Sequence, residues 1–392
     1  YVTFVNPGKA IPDDVAHLTN IHDEDVADAP TPDEALAGLV EFAGDAKIVA
    51  HNAEFDRTFT TRHPSGYPLL DNIWIDSLDL ARIALPRMRS HRLIDLVKAF
   101  GAPTSTHRAD DDVAATCALF RILLAAVHEM PPALVKCIAL LAPVEQWNTA
   151  VVFQYFAQPE AKSFSLKELR HESMTSYERK PRIDAKMVQS MEYPTAEDIA
   201  QAFSPTGIVG KLYGDFEPRE EQLTMAQEVR AAFEASENLV VEAGTGVGKS
   251  MAYLVPAVLM AKANNIAIGV ATKTNALLDQ LVYHELPALA QSLGDITYAP
   301  LKGFSHYPCL RKVNRFVKEG VKMVDVQGMK HSQAPSLGAL LSFIDQTDYD
   351  DMDSLKMDYR VVPRRAVTTT SHDCLRRKCP FYGTTCFVHG AR

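Results

Sequence analysis

The chain has 392 residues, of which 47% are hydrophobic and 23% are charged, and its formal net charge at pH 7 is -9. This composition is typical of a globular protein, and it excludes a disordered, fibrous or small disulfide-stapled chain. No apolar run approaches the ~20 residues of a membrane-spanning helix, and no basic-then-apolar leader opens the chain. We therefore predict a cytoplasmic protein with no membrane partner.

The charges are distributed unevenly along the chain. Residues 1–129 hold 20 Asp and Glu against 11 Lys and Arg, whereas residues 299–392 hold 15 Lys and Arg against 9 Asp and Glu. A basic stretch of this kind can bind a polyanion, but a solvated surface has the same composition. The charge distribution alone leaves both interpretations open.

The first 129 residues predict one α/β domain. Tyr1–Val5 and residues 45–50 are apolar runs that predict strands, and a helix is expected to begin at Asn52. Apolar residues at helical spacing predict a long helix over residues 109–130. Because the chain opens inside a predicted strand, without an initiator Met, we expect the natural start of the protein to lie further upstream.

A connector and a second α/β region follow. Two prolines break the long helix, and residues 130–205 predict a partly helical connector. The next predicted elements are helix 220–235, strand 239–242, helix 249–263 and strand 266–271. Strands that alternate with helices in this way predict a parallel sheet.

A glycine-rich loop joins the first strand and the second helix of that region. Its sequence, Ala243-Gly-Thr-Gly-Val-Gly-Lys-Ser250, matches the phosphate-loop pattern. Glycines let backbone N–H groups turn toward phosphates, the Lys ammonium reaches the outer phosphates, and the Ser hydroxyl binds Mg²⁺. The sequence therefore predicts an ATP–Mg²⁺ site formed by Ala243, Gly244, Thr245, Gly246, Val247, Gly248, Lys249 and Ser250.

Two segments beside the loop resemble parts of superfamily 2 helicases. Residues 216–225 resemble the adenine-reading element, which implies that Arg219 and Gln222 contact ATP. Residues 271–280 resemble a segment that touches single-stranded DNA, which implies DNA contacts from Thr272, Lys273 and Thr274. Thr and Asn are also common helix N-caps, so a purely structural role stays open for this second segment.

Four of the six cysteines lie in the basic stretch at residues 299–392, namely Cys309, Cys374, Cys379 and Cys386. Four thiolates suit tetrahedral zinc or an iron–sulfur cluster, and their spacing does not choose between them. Together with the phosphate loop, the layout resembles the DinG/XPD branch of iron–sulfur helicases, which implies a 4Fe-4S cluster. Cys117 lies on the long apolar helix, which predicts a buried, inert thiol.

Two motifs at the front of the chain resemble those of DnaQ-like (DEDDh) 3′–5′ exonucleases. They are Val49-Ala-His-Asn-Ala-Glu-Phe-Asp56 and His107-Arg-Ala-Asp-Asp-Asp112. In such chemistry two divalent metals activate water and stabilise the leaving oxygen, so acidic ligands must converge from separate elements. The resemblance implies that Asp56 and Asp112 bind Mg²⁺ or Mn²⁺, that His107 accepts the proton of the attacking water, and that Asn52 and Phe55 contact DNA.

The front motifs leave one alternative and one gap. Asp110 to Asp112 could instead have the purely structural role of acidic residues that stabilise a helix N-terminus. The first motif of these exonucleases, an Asp-x-Glu on the first strand, is absent from residues 1–129. We therefore expect weak or no nuclease activity from this chain, and strong activity from a version that carries such a strand.

The resemblances imply an α/β protein with four parts. These are an RNase H-like exonuclease domain without its first strand at 1–129, a helical connector at 130–205, the start of a RecA-like motor domain at 206–298, and a cysteine-rich iron–sulfur insertion at 299–392. They imply a fragment, truncated at both ends, of an ATP-dependent DNA helicase with a 3′–5′ exonuclease domain. Its implied substrates are single-stranded and forked or flapped DNA in repair or replication. Since no Asp-Glu-x-His motif follows Cys386, we expect ATP binding without hydrolysis.

Two other functions fit the same residues. One is a non-catalytic nucleic-acid-binding protein in which the four thiols hold structural zinc, and iron analysis would separate it from the helicase. The other is a 3′–5′ exonuclease whose motor half only grips DNA. That protein would digest DNA without unwinding it.

Overall fold

The computed structural model of the protein describes residues 1–102, 109–168, 188, 190–213, 216–294, 296–347 and 350–391. The chain folds into two compact units. The larger unit contains Tyr1–Thr175 and Gly303–Gly390, and the smaller unit contains Ser176–Lys302. The predicted domain boundaries at 129, 205 and 298 stay predictions. The residues that follow Lys302 nevertheless cluster with the front of the chain.

The described elements are α1 (Asp13–Thr19), α2 (Asp23–Val26), α3 (Pro32–Ala43), β1 (Ile48–Ala50), α4 (Ala53–Thr60), β2 (Trp74–Asp76), α5 (Ser77–Ala84), α6 (Leu93–Phe100), α7 (Ala109–His128), α8 (Pro132–Ala139), α9 (Ala150–Phe156), α10 (Ala196–Ala202), α11 (Glu220–Ala235), α12 (Lys249–Asn264), α13 (Asn275–Gln280), α14 (Leu286–Leu293), α15 (Leu310–Glu319), β3 (Met323–Val326), β4 (Met329–Ser332), α16 (Ala334–Gln346), α17 (Arg364–Val367) and α18 (Phe387–Gly390). Short 3-10 helices lie at Pro64–Asp71, Gly210–Leu212, Phe304–His306 and Arg376–Lys378, and a π-helical turn lies at Leu281–Glu285.

The larger unit contains a β–α–β arrangement near its front. β1 and β2 pair in parallel with Ile48 opposite Trp74, and α4 lies between them in the sequence. Asn52 adopts a left-handed conformation with φ of 72°, which turns the chain from β1 into α4. α7 packs against β1, α5 and α6, and one stripe of its side chains is buried. The predicted strand over 45–50 and the long helix are thus confirmed, with slightly shorter bounds.

Helix α16 fixes the cysteine-containing segment to this front part of the larger unit. Nearly all of its side chains from Ala334 to Ile344 are buried, and it packs against α5 and α8. Gly338 allows the close approach, since a β-carbon there would lie 3.1 Å from Cδ1 of Ile83 and 3.6 Å from Cγ2 of Ile138. At the C-terminal end of the helix, Gln346 donates a 3.4 Å hydrogen bond to the Ala84 carbonyl.

The smaller unit is helical in the part that the structure describes. Its core is formed by apolar side chains of α10, α11, α12 and α14, with Leu281 from the π-helical turn. The predicted helices 220–235 and 249–263 are confirmed, the second one residue longer than expected. The RecA-like fold of this region stays a prediction.

Three predicted strands are wrong. Residues 239–242 and 266–271 form no strand, and the described residues of the smaller unit offer them no strand to pair with. An apolar run becomes a strand only when a neighbour accepts its backbone hydrogen bonds, and here Val240 is left 95% exposed. Tyr1–Val5 forms no strand either. Instead the Tyr1 ring stacks on Phe42, with 6.0 Å between ring centroids.

No single helix among the described residues has both the length and the apolar character to cross a membrane. α7 and α8 reach that length and composition only when taken together, and the chain bends by 114° between them.

Candidate functional site

Two carboxylates lie in the region where the parallel strands end. Asp76 is the last residue of β2, and its Oδ1 accepts hydrogen bonds from the backbone N–H of Asn52 at 3.0 Å and of Leu78 at 2.8 Å. Asp56 lies on α4, which follows β1. Partial burial and the negative charge of Asp76 raise the pKa of Asp56 above the ordinary range of an Asp. The fold therefore places these two acidic side chains in one electrostatic neighbourhood.

His51 holds the loop between β1 and α4. Its Nε2 lies 2.9 Å from the His91 carbonyl oxygen, and its Nδ1 lies 3.0 Å from the Ser77 hydroxyl. Because a carbonyl only accepts, Nε2 carries the proton and Nδ1 accepts from Ser77. Burial lowers the pKa of His51, so the ring is neutral at physiological pH. Both ring nitrogens are bonded, which makes His51 a positioning residue.

A third acidic residue lies behind the pair. Asp79 is one turn further along α5 than Asp76, and Arg82 lies 4.0 Å from its carboxylate. Burial and the charge of Asp76 raise the pKa of Asp79 to about 7, although the positive charge of Arg82 lowers it. Asp79 thus holds its proton more tightly than an ordinary Asp.

The third predicted motif is only partly described. His107 lies outside the described residues. Asp112 lies with Asp110 and Asp111 in the first turn of α7, the place that the helix dipole favours for acids. α7 contacts β1, so the structure brings the helix that carries Asp112 to the strand that leads into the Asp56 loop.

The phosphate loop of the smaller unit has the backbone conformation that its glycines permit. Gly246 and Gly248 have φ of 87° and 81°, and α12 begins at Lys249. The Lys249 ammonium donates hydrogen bonds to the carbonyl oxygens of Ala243 at 2.8 Å and Gly244 at 2.6 Å. Its charge is therefore held inside the loop.

The two residues predicted to read adenine contact the same loop. Gln222 donates a 2.9 Å hydrogen bond to the Gly248 carbonyl, and Arg219 donates one to the Gly246 carbonyl. A β-carbon at Gly248 would lie 2.1 Å from Nε2 of Gln222, so this contact requires glycine. The structure thus places Arg219 and Gln222 against the loop. That these two residues contact ATP stays a prediction.

The residues predicted to touch DNA in this unit have a local structural role. Thr274 is the N-cap of α13, and its hydroxyl accepts a 3.3 Å hydrogen bond from the Leu277 N–H. The Thr272 hydroxyl donates to the Thr274 carbonyl at 3.1 Å. These hydrogen bonds give the segment the helix-capping role that the sequence left open. A DNA contact from Thr272, Lys273 and Thr274 stays a prediction.

The four clustered cysteines share one region of the larger unit. Burial is the main cause that raises the pKa of the Cys309 and Cys386 thiols. The charge of Cys379 also raises both pKa values, and the charge of Cys374 also raises that of Cys386. Backbone N–H groups at the starts of α15 and α18 point at the sulfurs of Cys309 and Cys386 and oppose this shift. All four thiols are free and partly buried. The thiols of Cys309 and Cys386 thus both lie within electrostatic reach of Cys379. Among the described residues, however, no three or more of the cysteines are placed to hold a metal ion.

The two remaining cysteines differ from this group. Cys117 is exposed on α7, so the prediction of a buried thiol is wrong: the buried stripe of that helix runs through Ala115 and Leu119, and position 117 faces away from it. Cys137 on α8 is mostly buried, which raises its pKa to about 11.

Comparisons with known proteins identify an exonuclease domain at the front of the chain. A sequence model of the family described as "Exonuclease" matches residues 1–120. The chain is 29% identical over 329 residues to the 3′-5′ exonuclease DinG of Bacillus subtilis, which covers 81% of the chain and 34% of that protein. It is 25% identical over 367 residues to the 3′-5′ exonuclease DinG of Staphylococcus aureus, which covers 91% of the chain and 38% of that protein. The chain is a DinG homologue with an exonuclease domain of mixed α/β structure at its front.

A helicase relative matches a shorter part of the chain. The ATP-dependent DNA helicase YoaA of Haemophilus influenzae is 36% identical over 200 residues, which cover 50% of the chain and 29% of that protein. The chain spans about a third of the length of the two DinG relatives.

The exonuclease domain of this DinG homologue implies a divalent metal, and the chemistry of the donors permits one. Asp56 and Asp76 repel each other when both are ionised, and a cation between them would remove that repulsion. Over the described ranges, no group of three or more His, Cys, Asp or Glu side chains is placed to hold a metal ion. The described residues thus supply this carboxylate pair without a third ligand beside it.

Asp76 is a site residue that the sequence motifs missed. It lies outside both exonuclease-like motifs, and it also serves as the N-cap of α5. Its signal in the sequence was its position directly after the apolar residues Trp74 and Ile75, since acidic groups at the ends of neighbouring parallel strands meet at one sheet edge.

Proposed function

We propose that the chain is the exonuclease-bearing part of a DinG-type protein that removes nucleotides from the 3′ end of DNA. The observation that carries this proposal is the 3.0 Å hydrogen bond from the Asn52 N–H to Asp76, which ties the start of the Asp56 helix to the end of β2 and puts Asp56 within reach of the charge of Asp76. Asp56 and Asp76 would hold Mg²⁺ or Mn²⁺, and Asp112 would be a further ligand, although the structure does not place it beside them. The ions would supply Lewis acidity and an activated water. The neutral His51 keeps the loop in place, and the proton of the attacking water passes to His107.

Mutation of the central carboxylate tests this function. We expect a version of the chain extended at its front by a strand carrying Asp-x-Glu to shorten single-stranded DNA in Mn²⁺, and Asp56→Asn to reduce the rate by roughly a hundredfold or more. Glu41→Gln removes an exposed acid on α3 and serves as the matched control with an unchanged rate. Equal digestion rates for Asp56→Asn and Glu41→Gln would contradict the assignment of Asp56 to the exonuclease site.

We also propose that the phosphate loop binds ATP with Mg²⁺. The Lys249 ammonium exchanges its two carbonyl partners for phosphate oxygens, and Arg219 and Gln222 hold the loop from behind. Calorimetry tests the site: Lys249→Ala lowers ATP affinity at least tenfold, whereas Lys262→Ala, in the last turn of the same helix, leaves it unchanged. ATP affinity that is indifferent to Lys249→Ala would contradict the site.

We further propose that Cys309, Cys374, Cys379 and Cys386 hold a 4Fe-4S cluster. The electrostatic proximity of the thiols and the N–H groups directed at two of the sulfurs support it, because cluster thiolates accept such bonds. A cluster is larger than one ion, so its ligands stand further apart than those of zinc. Anaerobically purified protein should be brown and lose its colour with Cys379→Ser but not with Cys117→Ser. Colourless protein with one zinc per chain would favour the non-catalytic alternative.

The substrates follow from these three sites. Single-stranded DNA with forks or flaps offers both a free 3′ end for the exonuclease domain and a track for an ATP-dependent helicase motor. We therefore propose that this chain is part of a longer cytoplasmic protein of DNA repair or replication with both activities, and that the chain by itself binds ATP without hydrolysing it. A fork-substrate assay that records unwinding and shortening separately distinguishes it from an exonuclease whose motor half only grips DNA.

A further inference from the structure

Both ends of α5 are tied to His51, the residue that positions the loop between β1 and α4. At the first residue of the helix, the Ser77 hydroxyl donates to Nδ1 of His51 over 3.0 Å. At the other end, the carbonyl of the capping residue Leu85 accepts a 2.9 Å hydrogen bond from Nε2 of His91. The His91 carbonyl in turn accepts the 2.9 Å bond from Nε2 of His51. A shift of α5 therefore disturbs both hydrogen bonds of the His51 ring.

The same helix fixes a carboxylate of the proposed site. Asp76 is the N-cap of α5, and its Oδ1 accepts hydrogen bonds from the Leu78 N–H in the helix and from the Asn52 N–H across the strand ends. α5 contains eight residues, so it is ~12 Å long and moves as one body. The position of α5 thus sets the positions of both Asp76 and the loop that leads to Asp56.

α16 supports the C-terminal half of α5. The close approach at Gly338 sets the fully buried Ile83 against α16. Gln346, the last residue of α16, donates its 3.4 Å hydrogen bond to the Ala84 carbonyl. Ala84 is the residue directly before the capping carbonyl that holds His91. The contact between the two helices therefore lies next to the hydrogen bonds that hold the loop.

A second part of the same segment approaches His91. Burial lowers the pKa of His91, and the positive charges of Arg82 and Lys356 lower it further. Lys356 therefore lies within electrostatic reach of His91. It follows α16 in the segment between Cys309 and Cys374. Two parts of this segment thus lie near α5 and the loop that α5 holds.

These contacts come from outside the region that matches the exonuclease family. The match ends at residue 120, and α16 lies far beyond it in the sequence. We propose that Gly338 and Gln346 are positioning residues of the exonuclease site. They act through α5, which holds Asp76 and the His51 loop in place. This inference rests on the proposed exonuclease function and adds to the site a support that residues 1–120 do not contain.

Amide hydrogen exchange and calorimetry on the full chain test this role. The N–H groups of Asn52 and Leu78 donate to Oδ1 of Asp76, so their exchange rates report whether Asp76 is held in place. Gly338→Leu pushes Ile83 and α5 away, and both exchange rates should rise roughly tenfold. Mn²⁺ affinity should fall by a similar factor, because groups that support metal ligands typically contribute roughly 10–100-fold to metal affinity.

Two further variants separate positioning from damage to the core. The addition of Ile83→Ala to Gly338→Leu makes room for the new side chain and should restore both the exchange rates and the Mn²⁺ affinity. Gln346 is exposed, so Gln346→Ala leaves the core intact. It should weaken Mn²⁺ binding roughly threefold, which is the effect of one hydrogen bond. Unchanged exchange and unchanged affinity in both Gly338→Leu and Gln346→Ala would overturn the proposal.

Val313→Ala is the matched control. Val313 is fully buried on α15, which packs against α17, and its truncation opens a cavity in the same unit. The variant should unfold at a lower urea concentration than the unmodified chain and bind Mn²⁺ with unchanged affinity. If Val313→Ala weakened Mn²⁺ binding as much as Gly338→Leu, a general loss of stability would explain both effects and the positioning role would be wrong.

Asp56→Asn separates this inference from the function on which it rests. Mn²⁺ affinity that falls with Asp56→Asn but not with Gly338→Leu or Gln346→Ala would overturn the positioning role and leave the exonuclease site intact. Faster exchange at Asn52 in Gly338→Leu, together with Mn²⁺ affinity that is indifferent to Asp56→Asn, would support the link through α5 and contradict the exonuclease site.

Discussion

Asp76 and Asn52 are joined across the ends of β1 and β2 by a hydrogen bond of 3.0 Å, from the Asn52 backbone N–H to Oδ1 of Asp76. The same oxygen caps α5 through the Leu78 N–H. Asp76 therefore has a structural role through its oxygen, and its charge helps to raise the pKa of Asp56.

The two roles of Asp76 are separable by mutation. Asp76→Asn keeps the accepting oxygen and removes the charge, so we expect Mn²⁺ affinity to fall at least tenfold while stability changes by no more than about 0.5 kcal/mol. Asp76→Ala also loses the cap and should be destabilised by roughly 1–2 kcal/mol. Thr195→Ala, which removes the cap of α10, is the control that loses stability without losing Mn²⁺ affinity. Unchanged Mn²⁺ affinity in Asp76→Asn would exclude Asp76 as a ligand.

The raised pKa of Asp79 predicts a pH-dependent stability. A carboxyl whose folded pKa of about 7 exceeds its ordinary value of 3.8 binds more protons when folded, so its ionisation destabilises the fold as pH rises through that interval. Asp79→Asn removes this effect. We expect it to be more stable than the unmodified chain by roughly 1–2 kcal/mol near pH 8, because the side chain keeps 20% of its surface exposed. Urea unfolding near pH 5 and near pH 8 should show this gap widening with pH, and a constant gap would contradict the cause.

The contact between Gly338 and Ile83 predicts a compensating pair of mutations. Gly338→Leu forces extra atoms against Ile83 and should cost about 1–3 kcal/mol, while Gly338→Ala should be nearly neutral because its helix propensity offsets one close contact. In a chain that also carries Ile83→Ala, the new space should accommodate the Leu. The loss of unfolding free energy in the double variant should then be smaller than the sum of the two single losses by about 0.5 kcal/mol or more. Additive effects in chemical unfolding would show that α16 does not pack against α5.

The helices were predictable from the sequence, because the spacing of apolar residues is a local property. α11 matches its predicted bounds, and α12 differs by one residue. The strands were not predictable in the same way. Residues 239–242 and Ile48–Ala50 are similar apolar runs, and only the second has β2 beside it to complete its hydrogen bonds.

The candidate site was predictable where a motif carried it. Asp56 and Lys249 stand in long motifs with fixed spacing. The structure places Asp56 within reach of the charge of Asp76 and bonds Lys249 to carbonyls of its own loop, and their predicted ligands stay predictions. The place of Asp76 in the site depends on which groups meet after folding. The attachment of α16 to α5 joins residues more than 250 positions apart, which no local pattern predicts.

The direction of digestion tests the central claim most directly. Single-stranded DNA labelled at its 5′ end is incubated with the extended version of the chain in Mn²⁺, alongside Asp56→Asn. Stepwise shortening from the 3′ end gives a ladder of labelled products that loses one nucleotide at a time, and Asp56→Asn should give no ladder. Immediate release of the label as a mononucleotide, or an identical ladder from Asp56→Asn, would contradict a 3′–5′ exonuclease site built on Asp56 and Asp76.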